Sequence, residues 1–265
     1  SYFLYDSCSS CVVVMARKLV EIKDLYKSFG EQTVLGGVSL DVTETQNLVI
    51  FGKSGTGKSV LLKCMVGLLI PDKGSITING IDVLNIPLKE MNELRKNIGF
   101  LFQSAALYDS MSVRENLAFP LIRNFNFTHK EVTHKVERAL DMVSLAHAID
   151  KMPSELSGGM RKRVGLARSI ITEPMLMLYD EPTTGLDPIT TKEISKLIRD
   201  LQQELKMTSI AVTHDLICAQ IIADRAIVLN DGIILFEGDL ATLTTLEDPF
   251  LKNFFSPEYL EDNYG

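Results

Sequence analysis

Three short stretches of this 265-residue chain carry residue types that can do phosphate chemistry. The first is Gly52, Lys53, Ser54, Gly55, Thr56, Gly57, Lys58 and Ser59, a Gly-x-x-x-x-Gly-Lys-Ser pattern. Glycines let a main chain close round phosphate oxygens, and a helix N-terminus adds free N–H groups and the positive end of its dipole. Lys58 is expected to reach the β- and γ-phosphates of a nucleotide, and the Ser59 hydroxyl to hold Mg²⁺. The second stretch is Asp180-Glu181, directly after the apolar run from Met175 to Tyr179. Asp180 is the expected Mg²⁺ partner, and Glu181 the general base that polarises an attacking water. The third is Leu156, Ser157, Gly158, Gly159 and Met160. Ser157 reads as the N-cap of a helix over 158–171, whose first N–H groups make an anion site. The chain's own phosphate site already has a loop, a metal ligand and a base. The Ser-Gly-Gly element is therefore expected to close over the nucleotide of a second copy.

Two further residues end apolar runs. Gln103 follows Ile98 to Phe102 and can orient the water or touch the metal. His214 follows Ser209 to Thr213 and can hydrogen-bond a γ-phosphate or steady Glu181 and the water. The basic run Arg161-Lys162-Arg163 reads as a solvated helix face with no catalytic part.

These chemical residues need rigid supports. The runs Asn47 to Phe51 and Met175 to Tyr179 are short and continuously apolar, as central parallel strands are. Residues 60–66 read as the helix leaving the phosphate loop. Residues 19–41 alternate like antiparallel strands, and 75–80 read as a strand ending in a turn. Residues 113–144 read as helical, broken at Pro120 and again at residues 124–127, with Thr128 and Glu131 as a capping box. Helix and strand then alternate: 190–205, 209–213, 226–229 and 233–236. Leu107, Tyr108 and Met111 fit either a docking groove or core.

The order of these parts, from phosphate loop through Gln103, Leu-Ser-Gly-Gly, Asp180-Glu181 and Leu186-Asp187 to His214, resembles an ATP-binding-cassette (ABC) ATPase over residues 19–244. The resemblance implies an α/β fold of the P-loop NTPase kind. A mostly parallel sheet core would carry an antiparallel β subdomain and a helical subdomain inserted at about 104–155. It implies ATP and Mg²⁺ as ligands, with Val60 joining the nucleotide contacts. Phe29 matches the aromatic position that stacks on adenine, and Asp187 the loop that speaks across a dimer. It also implies an ATP-sandwich dimer in which residues 156–160 of one copy meet the nucleotide of the other, and a separate integral membrane permease that docks on the helical subdomain. More narrowly, residues 102–121, the Lys58-Ser59-Val60 junction and Gly159-Met160-Arg161 resemble the ATPases of Mla/MCE-type phospholipid transport systems. That likeness implies an MCE-domain partner. A second reading is the ATPase of an importer for amino acids or ions. One departure from the family pattern is Thr45-Gln46, where relatives place Gly-Glu or Gly-Asp in the turn before the phosphate-loop strand.

Composition is compatible with all of this. Net charge of −7 and a pI near 5.2 argue against nucleic acid as a partner. No apolar run reaches the ~20 residues of a membrane helix, so any membrane passage falls to another subunit; the resemblance implies a peripheral place for this chain on the cytoplasmic face of the inner membrane. The four cysteines make no disulfide framework, and Cys8 and Cys11 lack the second pair a zinc site needs. Residues 1–18 read as a dispensable extension, of which 1–14 precede Met15 and are expected to be foreign to the native protein. The tail 246–265 is rich in aromatics, suited to packing on its own domain or gripping a neighbouring subunit, with the second preferred.

Overall fold

The computed structural model describes residues 17–52 and 55–254, without the side chains of Phe250, Asn253 and Phe254. The readings of residues 1–14, of Lys53 and Ser54, and of the tail aromatics lie outside the described residues.

The core is a six-stranded sheet in the order β10-β9-β3-β8-β7-β6. Its strands are β3 (Asn47–Phe51), β6 (Ile98–Leu101), β7 (Leu176–Asp180), β8 (Thr208–Thr213), β9 (Arg225–Asn230) and β10 (Ile233–Gly238). All neighbours pair in parallel except β10, which closes one edge antiparallel to β9. Every residue of β3, β7 and β8 is buried, as parallel strands covered on both faces must be. Alternation then divides them between two cores. Val49, Phe51, Met177, Tyr179 and Ala211 point into one, and Leu48, Ile50, Leu176, Leu178 and Ile210 into the other.

A second, antiparallel sheet runs β2-β1-β4-β5, from β1 (Lys18–Phe29), β2 (Gln32–Thr43), β4 (Lys73–Ile78) and β5 (Ile81–Asp82). Its inward residues Val20, Ile22, Leu40 and Ile76 join the second core with Leu61 and Leu62 of α1 (Lys58–Met65). Helices α2 (Leu88–Lys96), α3 (Val113–Asn124) and α4 (His129–Met142) follow, then α5 (Gly158–Ile170) and α6 (Pro188–Leu205). Three further α-helices are short: α7 (Leu216–Ile222), α8 (Leu240–Thr245) and α9 (Pro249–Phe254).

Pro120 does not break α3, contrary to the sequence reading. Within a helix it forfeits one bond, to the Asn116 carbonyl. That loss is offset by burial of Val113, Leu117 and Leu121 and by the Ser112–Glu115 capping box. The Thr128–Glu131 box stands as expected at the start of α4. Helix α6 begins two residues before the expected start because Asp187 caps it, its carboxylate accepting from the Ile189 and Thr190 N–H groups at 3.0 Å each.

The Thr45 turn keeps a glycine-like conformation, φ +62°, on a β-branched residue. It is held there from both sides. The Thr45 N–H donates to Thr208 Oγ1 (2.8 Å), and Gln202 Nε2 donates to the Thr45 carbonyl (2.7 Å). Left-handed non-glycine backbone costs about 1–3 kcal/mol. Thr45→Gly keeps both bonds, so it should raise Tm by roughly 2–4 °C per kcal/mol of strain relieved, measured by calorimetry without nucleotide. A lower Tm would show that the strain relieved is smaller than the unfolded-chain entropy that glycine adds.

Candidate functional site

The carboxyl ends of β3, β8, β7 and β6 lie side by side. Their outgoing loops carry the phosphate loop, His214, Asp180-Glu181 and Gln103, where open α/β sheets place their ligands. Gly55 and Gly57 hold φ of +83° and +95°. A Cβ on Gly57 would stand 2.6 Å from the Val34 carbonyl, so the loop can lie this close to β2 only with glycine there. Lys58 and Ser59 then fall in the first turn of α1, with half-buried Val60 behind them.

Lys58 is 5% exposed. Its ammonium donates to the Gly52 carbonyl at 2.6 Å and lies 3.6 Å from Glu181 Oε1. Burial pulls its pKa down, against the opposing pull of Glu181 and Asp180. Ser59 Oγ donates to Asp180 Oδ1 at 2.7 Å. A hydroxyl and a carboxylate side by side, next to where phosphate oxygens would lie, form the hard-oxygen donor set that suits Mg²⁺.

Glu181 sits on left-handed backbone, φ +50°, its N–H donating to the Val212 carbonyl at 2.9 Å. Its Oε2 accepts from His214 Nδ1 at 2.9 Å. Burial pushes the carboxyl's pKa up, but the His214 hydrogen bond and the nearby His214 and Lys58 charges outweigh burial and hold it below the ordinary range. His214 is raised by that same bond, with burial opposing. The geometry therefore keeps Glu181 ionised, as a base must be, and its imidazole partner fixed. That contact joins His214 to one of the two partners open to it, Glu181.

Gln103 lies exposed in the turn after β6. Ser157 caps α5 as expected, its hydroxyl accepting from the Met160 N–H at 3.2 Å. Leu156 is buried in the core; Ser157 and Gly158 are exposed. A Cβ on Gly159 would meet Thr190 Cγ2 at 2.9 Å, so own-chain packing asks for glycine there. At Gly158 the nearest neighbour, Leu186 Cδ2, is at an ordinary 3.8 Å. Among the described residues, no neighbour demands glycine at 158. Asp187, beyond its capping duty, has its carboxyl pKa lowered by the Thr190 hydroxyl above all. Phe29 stands 49% exposed at the end of β1, with Lys27 Nζ 5.4 Å above its ring.

The basic run of α5 is not a uniformly solvated face. Arg161 is exposed and Arg163 half-buried, but Lys162 is buried. Its ammonium donates to the Gln103 carbonyl and approaches the Glu181 carbonyl at 3.4 Å. Burial lowers its pKa to about 8, against the pull of Glu181 and Asp180. The available signal was helical spacing: Lys162 precedes buried Gly165 and Leu166 by three and four residues, on the core face. The structure places the three residues Leu107, Tyr108 and Met111 differently. Leu107 packs on the core and Tyr108 is exposed. Met111 lines a mostly apolar groove of about 290 Å³ with Glu115, Ala118, Phe119, Ile122 and Arg123.

Residues 35–184 match the family model for ABC transporters. The chain is 39% identical over 237 residues to a probable ribonucleotide transport ATP-binding protein, mkl, of Mycobacterium leprae, spanning 89% of this chain and 68% of the relative. It is 37% identical over 244 residues to the intermembrane phospholipid transport system ATP-binding protein MlaF of Haemophilus influenzae, covering 92% of both. Among solved structures, the dimeric ATP-binding cassette MJ0796 bound to ADP and Pi superposes with a TM-score of 0.76 at 32% identity, over 83% of this chain and 98% of that one.

Proposed function

Because this chain belongs to the ABC transporter family and is an ATPase of that family, we propose that it powers phospholipid transport between membranes through a separate permease. The ionised Glu181 locked to His214 at 2.9 Å, beside Lys58 and the Ser59–Asp180 pair, carries the hydrolytic part of this reading. Ser59 and Asp180 would hold Mg²⁺, which when bound offsets charge on the β- and γ-phosphates. Lys58 binds those phosphates, Glu181 takes the proton of the attacking water, His214 keeps Glu181 aimed, and Gln103 orients the water or touches the metal. Phe29 offers its exposed face to adenine, and the residues from Gly52 to Val60 cradle the phosphates.

The glycine at 158, which no neighbour among the described residues requires, supports a sandwich dimer. In it Leu156, Ser157, Gly158, Gly159 and Met160 close on the partner copy's ATP, and Asp187 faces across the seam. Closure driven by two bound ATPs shifts the dimer equilibrium, and hydrolysis releases it. Among the described residues no helix is long and apolar enough to cross a membrane. A permease docked on the helical region at about 104–155 would supply the passage, with the chain peripheral on the cytoplasmic face of the inner membrane. The Met111 groove is the candidate seat. The phospholipid assignment and an MCE-domain partner rest on the likeness to MlaF over 92% of both chains. The mkl relative bears a ribonucleotide name, so the cargo needs its own test.

That test is affinity capture of Glu181→Gln from detergent-solubilised membranes with ATP and Mg²⁺, followed by mass spectrometry of co-purifying proteins and lipids. A multi-spanning permease, an MCE-domain protein and phospholipid are expected. A permease with a solute-binding protein in place of these would keep the ATPase mechanism and overturn the lipid cargo in favour of an importer.

A further inference from the structure

The segment after Gln103 hangs from helix α5 by its main-chain carbonyls. Lys162 holds the Gln103 carbonyl. Arg168, six residues on, donates from Nη2 to the Ala105 carbonyl (3.1 Å) and from Nη1 to that of Ala106 (2.9 Å). Ala105 and Ala106 are consecutive left-handed residues, φ +59° and +47°, a conformation alanine leaves unless it is held. The contact is close as well as polar: a Cβ on Gly165 of the same helix would stand 2.9 Å from Ala105 Cβ. The far end of the segment is tied elsewhere. The Tyr108 N–H donates to Asn116 Oδ1 (2.8 Å), and Asn116 Nδ2 donates back to the Tyr108 carbonyl (3.1 Å). Asn116 is buried in α3, next to the groove residues Glu115 and Ala118.

Two holds six residues apart along a helix stop the segment from pivoting about either one. A cation on a carbonyl is also a charge-assisted bond, stronger than a neutral one. We propose that Lys162 and Arg168 are positioning residues that make residues 103–108 and helix α5 one body, so that a shift of its Ser157–Met160 end carries Gln103 and Tyr108 with it. This rests on the roles given above to Gln103 and to residues 156–160. It adds the linkage between them, and from Tyr108 through Asn116 to the groove.

The test is a double-mutant cycle on the purified full chain, reading kcat, KM and equilibrium ATP affinity. Lys162→Met removes the ammonium and keeps the stem. It should lower kcat by about tenfold or more, while ATP affinity stays within about threefold. In a Gln103→Ala background the same change should cost less than about twofold, because the residue it positions is gone. Arg168→Lys keeps the charge but lacks the fork that spans two carbonyls. It should show the same non-additivity, and it decides the matter if Lys162→Met does not fold. Equal losses in both backgrounds, as a merely structural role would give, or an unchanged kcat in the single variants, overturn the linkage. Wild-type kcat in Gln103→Ala alone would instead sink the role assigned to Gln103, and this proposal with it.

Discussion

Glu181→Gln is expected to bind ATP with an affinity within about threefold of the parent chain's and to hydrolyse it about 10²- to 10⁴-fold more slowly. The amide has the size of the carboxylate, so the buried space it fills is unchanged, and its oxygen can still accept from His214 Nδ1, 2.9 Å away in the parent. What it cannot do is take a proton. The same substitution removes an anion 3.6 Å from Lys58, so phosphate loses one competitor for an ammonium still bonded to the Gly52 carbonyl. Binding should therefore survive while release by hydrolysis fails, and a closed dimer should accumulate. Size-exclusion chromatography with light scattering should show it with ATP and Mg²⁺ and lose it with ADP. Single-turnover hydrolysis at the parent's rate would remove Glu181 from the role of base.

The candidate site is legible because its spacing is local. The glycines at 55 and 57, the Lys58-Ser59 pair and the two acids after an apolar strand each stand out within a few residues, and the parallel sheet brings them to one edge. The alternation of β3, β7 and β8 between two cores follows from the same continuous apolar runs. What the sequence hid lies in long-range pairing. Lys162 sits in a run of three basic residues that reads as solvated, yet its ammonium reaches a carbonyl 59 positions away. Asn116 looks like an ordinary polar helix residue, but it is fully buried and bonds the main chain of Tyr108, Met111 and Ser112. The local cost of Pro120 predicts a break, and tertiary burial of its neighbours outweighs that cost. Thr45 shows the reverse case. A threonine on left-handed backbone is unexpected from sequence, and the turn is kept by bonds with Thr208 and Gln202 that sequence cannot reveal.

Lys58→Ala should weaken ATP binding by about 10- to 100-fold for the loss of the phosphate contact alone, since a hydrogen bond to a charged group contributes about 1.5–3 kcal/mol. Two further effects push in the same direction. The Gly52 carbonyl, buried at the entrance to the loop, loses its 2.6 Å donor, so the loop that must present its N–H groups loses a brace. Glu181 loses one of the cations that hold its carboxyl down, leaving more negative charge uncompensated where the γ-phosphate must sit. Lys58→Arg should restore little. The ammonium lies in a site 5% exposed, shaped to a slender stem, and a planar guanidinium cannot aim at the Gly52 carbonyl and a phosphate from there. The readout that separates this variant from Glu181→Gln is the partition between constants. Loss at Lys58 appears in the equilibrium affinity, by titration calorimetry or a fluorescent ATP analogue, whereas loss at Glu181 appears in the chemical step with affinity kept. Parent-like affinity in Lys58→Ala would mean that the loop's main-chain N–H groups bind the phosphates unaided, and that the buried ammonium serves only to anchor Gly52 and Glu181.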